Sequence, residues 1–260
     1  MENADNILFR CHQLGALRTG GRSKGELFGA TAKKAAVKAY ILHRYGRSRK
    51  IENKYCEKGT AVEDDGITLL AKHTRTMYRK NTERLSNDFI TGEWDLESEE
   101  EIGKVITDIK SSWDMDTFLE SKLNPLSSDY IAQMHGYLDL TGAKRAKVAF
   151  CLCNATSTLI DDEKRRLAYS LNCFGADTDP PEYIEGCKMI ERNMIFDMKL
   201  FLKHTPWYAL HETDWKWDIP EAERIHIFTV ERDENEISET HAAVLRARQF
   251  LNETFYTPKS

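Results

Sequence analysis

The 260-residue chain has no apolar run approaching the ~18 to 20 residues that cross a bilayer. Its first residues, Met1 to Asp5, carry neither the basic start nor the apolar stretch of a secretory signal. Both absences lead to the expectation of a cytoplasmic protein with no membrane partner. A C-x-x-C pair is also missing: Cys11, Cys56, Cys151, Cys153, Cys173 and Cys187 are scattered along the chain. An iron-sulfur cluster needs four convergent thiolates, whereas Cys151 and Cys153 flank one residue inside an apolar strand. Buried thiols and no cluster are therefore expected, as in a reducing compartment. There is no internal repeat, low-complexity tract or obvious linker, which leaves residues 1–260 as a single domain.

What is present suits a globular protein with a sizeable core, since 41% of residues are hydrophobic and 30% charged. A net charge of -5 excludes a surface coated in Lys and Arg. That average hides an asymmetry. Residues 1–58 hold thirteen Lys/Arg against five Asp/Glu, a net +8, while residues 59–143 hold eight against seventeen, a net -9. The first block suits a phosphate backbone and the second concentrates carboxylates where cations are needed; ordinary solvated faces are the alternative.

Periodicity predicts a short helix over Phe9 to Leu17, a basic loop over Thr19 to Gly25, and a helix from Ala30 to Tyr45 with Lys33, Lys34 and Lys38 on its polar side. A second helix is expected from about Gly59 to Met77, carrying Glu63. Strands follow at Leu85 to Leu96 and Lys104 to Ser111, joined as a hairpin by an acidic turn over Glu97 to Glu101. Then come a helix over Asp129 to Leu140, a strand over Arg145 to Asn154, helices over Asp161 to Asn172 and Tyr183 to Lys203, a strand over Ile225 to Glu231 and a helix over Ser238 to Phe250. This order predicts an α/β fold with a central mixed sheet flanked by helices.

The informative feature lies between Asp95 and Lys110. An apolar strand has no packing reason to carry Asp108 and Lys110, because burying either charge unpaired costs several kcal/mol. Residues two apart share a strand face, so Asp108 and Lys110 point the same way, and Asp95 can bring a second carboxylate beside them. Oxygen ligands of this kind suit Mg²⁺, for which Mn²⁺ can substitute, better than zinc. Such an ion serves phosphodiester hydrolysis by activating water and neutralising the leaving oxygen. Asp95 and Asp108 are the expected ligands, the carbonyl of Ile109 completes an edge, and Glu63 approaches from the preceding helix. Lys110 is expected to orient the nucleophile or offset phosphate charge, kept protonated by the carboxylates.

The segments Lys58-Gly59-Thr60-Ala61-Val62-Glu63, Ile90-Thr91-Gly92-Glu93-Trp94-Asp95, Ile106-Thr107-Asp108-Ile109-Lys110 and Tyr130-Ile131-Ala132-Gln133-Met134-His135-Gly136-Tyr137 occur in that order. Together they resemble the PD-(D/E)XK nuclease superfamily, in the branch of lambda exonuclease, YqaJ-like viral recombinases and RecB-type nuclease domains. The likeness runs from about Phe9 to Arg166. Trp94 departs from it, standing where the family name records proline. The resemblance implies a restriction-endonuclease-like core at about 9–166 with a C-terminal extension of helices and strand at about 167–260. It also implies Mg²⁺ or Mn²⁺ dependence and DNA as substrate, presented as duplex ends or single strand. Its catalytic set would be Glu63, Asp95, Asp108, Lys110 and Gln133, the last hydrogen-bonding near the lysine or the phosphate.

The function expected is that of an exonuclease in phage-type recombination or replication, located in the host cytoplasm if phage-encoded. A structure-selective or nicking endonuclease is one alternative; a non-catalytic DNA-binding module that retains the fold is another. Arg18, Arg22, Lys24, Ser111, Ser112 and Tyr137 are candidate DNA contacts. Trp113 is either such a contact or a packing residue, and His135 is read as structural. A single-strand annealing protein and further copies of the chain are candidate partners; nothing in the sequence decides either.

Overall fold

The computed structural model describes residues 3–23, 25–48, 53–175 and 179–256. After β1 (Phe9–Arg10) and a turn of 3₁₀ helix come α1 (Leu14–Leu17), α2 (Ala30–Tyr45), α3 (Lys54–Ala61) and α4 (Glu63–Thr74). Five strands follow: β2 (Arg79–Lys80), β3 (Leu85–Ser86), β4 (Ile90–Gly92), β5 (Leu96–Glu100) and β6 (Gly103–Ser111). The chain continues through α5 (Met115–Leu123), α6 (Ser128–Thr141), β7 (Arg145–Cys151), α7 (Ser157–Ser170), α8 (Pro181–Met194), α9 (Met198–His204), β8 (Ile225–Glu231) and α10 (Glu234–Leu251).

The main sheet has the order β2-β5-β6-β7-β8. It is mixed, as expected, because β6 and β7 run parallel while the other three pairings are antiparallel. Parallel neighbours need a crossover, which α5 and α6 supply. A smaller sheet, β1-β4-β3, stands beside it. Beyond residue 166 the chain is built into the same body: β8 pairs with β7 along its whole length, and α10 packs on α2 and α6.

Alternation along the strands sets two faces. Ile106, Ala146 and Val148 join the large core with α2, α6 and α10, whereas Leu96, Ala149, Cys151 and Ile225 pack beneath α4. Even-numbered positions of β6 thus look toward α6, and Asp108 and Lys110 are among them. Gly66 lets α4 lie close on Ile109, whose Cγ2 would be 3.2 Å from any added Cβ.

Several expected boundaries move. The helix expected at Gly59 to Met77 is two helices broken at Val62, which is buried in the cluster that holds Leu96 and Cys151; α3 begins at Lys54, capped by Asn53 accepting from the Cys56 amide. The acidic segment expected as a turn is the strand β5, paired from Leu96↔Thr107 to Glu100↔Gly103, so the hairpin turns only at Glu101 and Ile102. Its charges are carried by cross-strand cations: Glu97 meets Arg79 and Lys104, and Glu100 meets Lys147 at 2.5 Å. The helix expected at Tyr183 to Lys203 is interrupted because Asn154 Oδ1 accepts the amides of Phe196 and Asp197 and its Nδ2 donates to the Asp197 carbonyl. Helix α5 was not anticipated, although Asp114 and Thr117 form a reciprocal cap at its start.

Close approach of α6 to the N-terminal turn is what places Gln133 and Tyr137 over the sheet. A Cβ at Gly136 would fall 2.6 Å from Leu14 Cδ1 and 2.9 Å from Cys11 Sγ. Gly136→Ala is therefore expected to destabilise the fold by about 1–3 kcal/mol, measured by urea unfolding, despite alanine's better helix propensity.

Candidate active site

Strand β5 stops one residue short of Asp95, and this stop creates the site. Main-chain groups of β6 alternate between its two neighbours, and Thr107 is the last β6 residue paired with β5. The next β6 residue facing that side is Ile109. Its amide donates instead to Asp95 Oδ2 at 2.7 Å, and its carbonyl faces the same gap. Asp95 is thus a side-chain substitute for a strand partner, and it sits at a bend rather than on the strand expected. Its backbone is held by the residue after β2, since the Asn81 amide donates to the Asp95 carbonyl at 2.9 Å and Asn81 Nδ2 to the Trp94 carbonyl at 3.0 Å. Trp94, the departure from the family pattern, is buried; it lies edge-on to Tyr137 and donates from Nε1 to Glu97 Oε1 at 3.1 Å.

Asp108 is 2% exposed and faces α6. Gln133 Nε2 donates to Asp108 Oδ1 at 3.3 Å and to the Tyr137 hydroxyl at 2.9 Å. Lys110 Nζ lies 2.5 Å from Asp108 Oδ2, an oxygen that makes this ion pair but no hydrogen bond of good geometry. The ammonium also sits 5.3 Å from the centre of the Tyr130 ring, a cation-π distance.

The electrostatics follow from burial. Removal from water, then the negative charge of Asp108, push the Asp95 carboxyl up to about 7, against the pull of the Ile109 amide and Lys110. Burial opposes the charge on Lys110, but the attraction of Asp108 outweighs it and the pKa rises, leaving a firm cation. The Tyr137 phenol is also pushed up, first by burial and then by Asp108.

Glu63 opens α4, where a carboxylate complements the helix dipole, but its side chain pairs with Lys80 on β2 at 2.7 Å. Among the described residues no three His, Cys, Asp or Glu side chains group into a metal cage. Asp95 and Asp108 lie near enough to act on each other, and strand geometry puts the Ile109 carbonyl on the side that Asp95 caps. They fit a hard cation that keeps several of its waters, and the under-satisfied Asp108 Oδ2 points to the same conclusion.

The expected DNA contacts divide. Ser111 ends β6 half-buried; Ser112 and Tyr137 are buried and offer no open side chain. Arg18 pairs with Glu236 at 2.6 Å, Arg22 is exposed, and Lys24 lies outside the described residues. His135 Nδ1 contacts the Ile131 carbonyl in its own helix, consistent with a structural role. Lys80, Asn81 and Tyr130 support the site and were not foreseen. Only Tyr130 left a signal, lying one helical turn before Gln133.

No family model and no curated protein matches the chain. Among solved structures, the chain is similar to a phage-related exonuclease from Haemophilus somnus 129PT, at 23% identity, 96% coverage of both chains and a TM-score of 0.66. The chain has the fold of that exonuclease. It is also similar to the alkaline exonuclease LHK-Exo from Laribacter hongkongensis, at 12% identity, covering 96% of this chain and 90% of that one, with a TM-score of 0.56. A structure of LHK-Exo in complex with dAMP gives a TM-score of 0.57. The restriction-endonuclease-like core expected from the motifs is thus the fold observed.

A carboxyl whose folded pKa is raised holds a proton the unfolded chain has lost. Its contribution is present in full below the ordinary carboxylate pKa and is lost as pH rises through about 7. Metal-free protein should therefore lose stability between about pH 4 and 7, and Asp95→Asn should flatten that slope in denaturant titrations. With Asp95 as a ligand, a cation would displace its proton, so the rise in melting temperature on adding Mn²⁺ should grow over the same interval in wild type.

Proposed function

We propose that the chain is a Mg²⁺- or Mn²⁺-dependent deoxyribonuclease that digests DNA from strand ends, in phage-type recombination or replication. One observation carries this reading: Asp95, Asp108 and Lys110 meet at the uncovered edge of β6, beside the Ile109 carbonyl. The fold shared with a phage-related exonuclease supports the choice of ends over internal sites, and the dAMP bound by LHK-Exo supports a nucleotide product. No helix among the described residues is long and apolar enough to cross a membrane.

Asp95, Asp108 and the Ile109 carbonyl would hold the ion. Bound there, it supplies a water nucleophile of lowered pKa and neutralises charge on the phosphate. Asp95 must surrender its proton before it can serve as a ligand, which couples the site to pH. Lys110, cationic through Asp108, is placed to donate to a phosphate oxygen or to orient the water rather than to act as a base. Gln133 donates to Asp108 Oδ1 and orients the carboxylate, whose Oδ2 faces the Lys110 ammonium. Tyr130 covers the lysine and limits its freedom.

The test is degradation of end-labelled linear duplex and single strand with Mg²⁺ or Mn²⁺, beside closed circular duplex. Linear DNA should shorten progressively while circles survive. Asp108→Ala should abolish digestion, and Lys110→Ala should slow it by at least about a hundredfold. Cutting of circles would make the enzyme an endonuclease; intact linear DNA, indistinguishable between wild type and Asp108→Ala, would end the nuclease reading.

A further inference from the structure

Three residues past the catalytic lysine, Trp113 meets Tyr55 of α3 edge to face, with ring centroids 5.3 Å apart and planes at 72°. Tyr55 is 56% exposed, unlike a core ring. Lys54 Nζ lies 4.6 Å from the Trp113 ring centre and 5.6 Å from that of Tyr55, so one ammonium serves both rings. The same ammonium bonds Glu163 on α7, which also pairs with Arg166, leaving two cations about one carboxylate at the rim.

The underside of this cluster is built with unusual rigidity. Lys58 is fully buried, and its Nζ donates to the Trp113 carbonyl at 2.7 Å, beside the rings of Trp113 and Phe196. Burial lowers its pKa to about 8, with Cys153 and Asp114 only partly opposing. Burying an ammonium against a single carbonyl is unfavourable for stability alone, and here it fixes the backbone that carries the indole. The cluster is also tied to the catalytic residues from both sides. Trp113 follows Lys110 by at most about 10 Å of chain, and α3 leads directly into Glu63 at the start of α4.

From this placement we infer that Tyr55 and Trp113 form a stacking platform for an unpaired nucleobase of the DNA strand entering the site, with Lys54 and Arg166 along its phosphate path. Lys58 is a positioning residue that holds Trp113. This rests on the DNA-nuclease reading above. Aromatic faces take any base, so the platform orients the strand without imposing a sequence. It also gives α3 a role separate from that of Glu63.

The test uses metal-free protein and single-stranded oligonucleotides carrying 2-aminopurine at successive positions from either end. Wild type should quench the fluorophore at one or two positions. Tyr55→Ala should lose that quenching, bind the oligonucleotide about fivefold to a hundredfold more weakly, and raise KM more than it lowers kcat. Tyr55→Phe should restore all three. Because Tyr55 is exposed, its truncation leaves the fold intact, checked by the melting temperature. If wild type digests DNA while Tyr55→Ala binds and quenches as wild type does, the platform is wrong and the nuclease reading stands. If wild type neither binds nor digests DNA, both fall.

Discussion

The hydrogen bond from the Ile109 amide to Asp95 joins a strand end to a side chain, and the site is organised around it. Had β5 run two residues further, to Trp94, main-chain pairing would have covered the Ile109 edge and left no opening beside Asp108. By ending at Leu96 and letting a carboxylate complete the pairing, the chain satisfies a buried amide and brings a second acid to the first. Asn81, just past β2, then holds the main chain of Trp94 and Asp95, and the Trp94 side chain is anchored on Glu97. Both carboxylates are therefore anchored through the sheet, which suits the proposed role of positioning and electrostatics.

Charge management explains the residues around it. Two carboxylates withdrawn from water repel each other, and in the metal-free protein the conflict is relieved by a proton on Asp95 and a cation at Lys110. Gln133 and Tyr137 add a hydrogen-bonded support from α6, and the glycine contacts of that helix bring it close enough to reach. A divalent cation would replace the proton and so remove the repulsion that the apo fold tolerates. Concentrated conflict of this sort is a usual signature of a functional site.

Much of this was legible in the residues because charges in apolar strands are hard to explain by packing. Asp108 and Lys110 stand out that way, the helix motif of Gln133 and Tyr137 came from the family resemblance, and the mixed sheet followed from the order of elements. The register of β5 was hidden: Leu96 to Glu100 is acidic enough to read as a turn, and its charges find cations only on other strands, at Arg79, Lys104 and Lys147. Long-range pairing also conceals Asn154, which breaks α8 from α9, and Lys80, which pairs with Glu63. By contrast, the Asp114 and Thr117 cap of α5 was visible in the sequence and passed over. Buried Tyr137 and Ser112 show the opposite limit, since a residue type able to touch DNA says nothing of whether its side chain faces solvent.

The central claim is that one hard cation belongs between Asp95, Asp108 and the Ile109 carbonyl. Anomalous scattering from crystals soaked in Mn²⁺ above pH 7 tests it most directly. A single strong peak should lie within bonding distance of both carboxylates and that carbonyl, and should vanish in Asp108→Asn. A peak elsewhere on the molecule, or none at saturating Mn²⁺, would contradict the account.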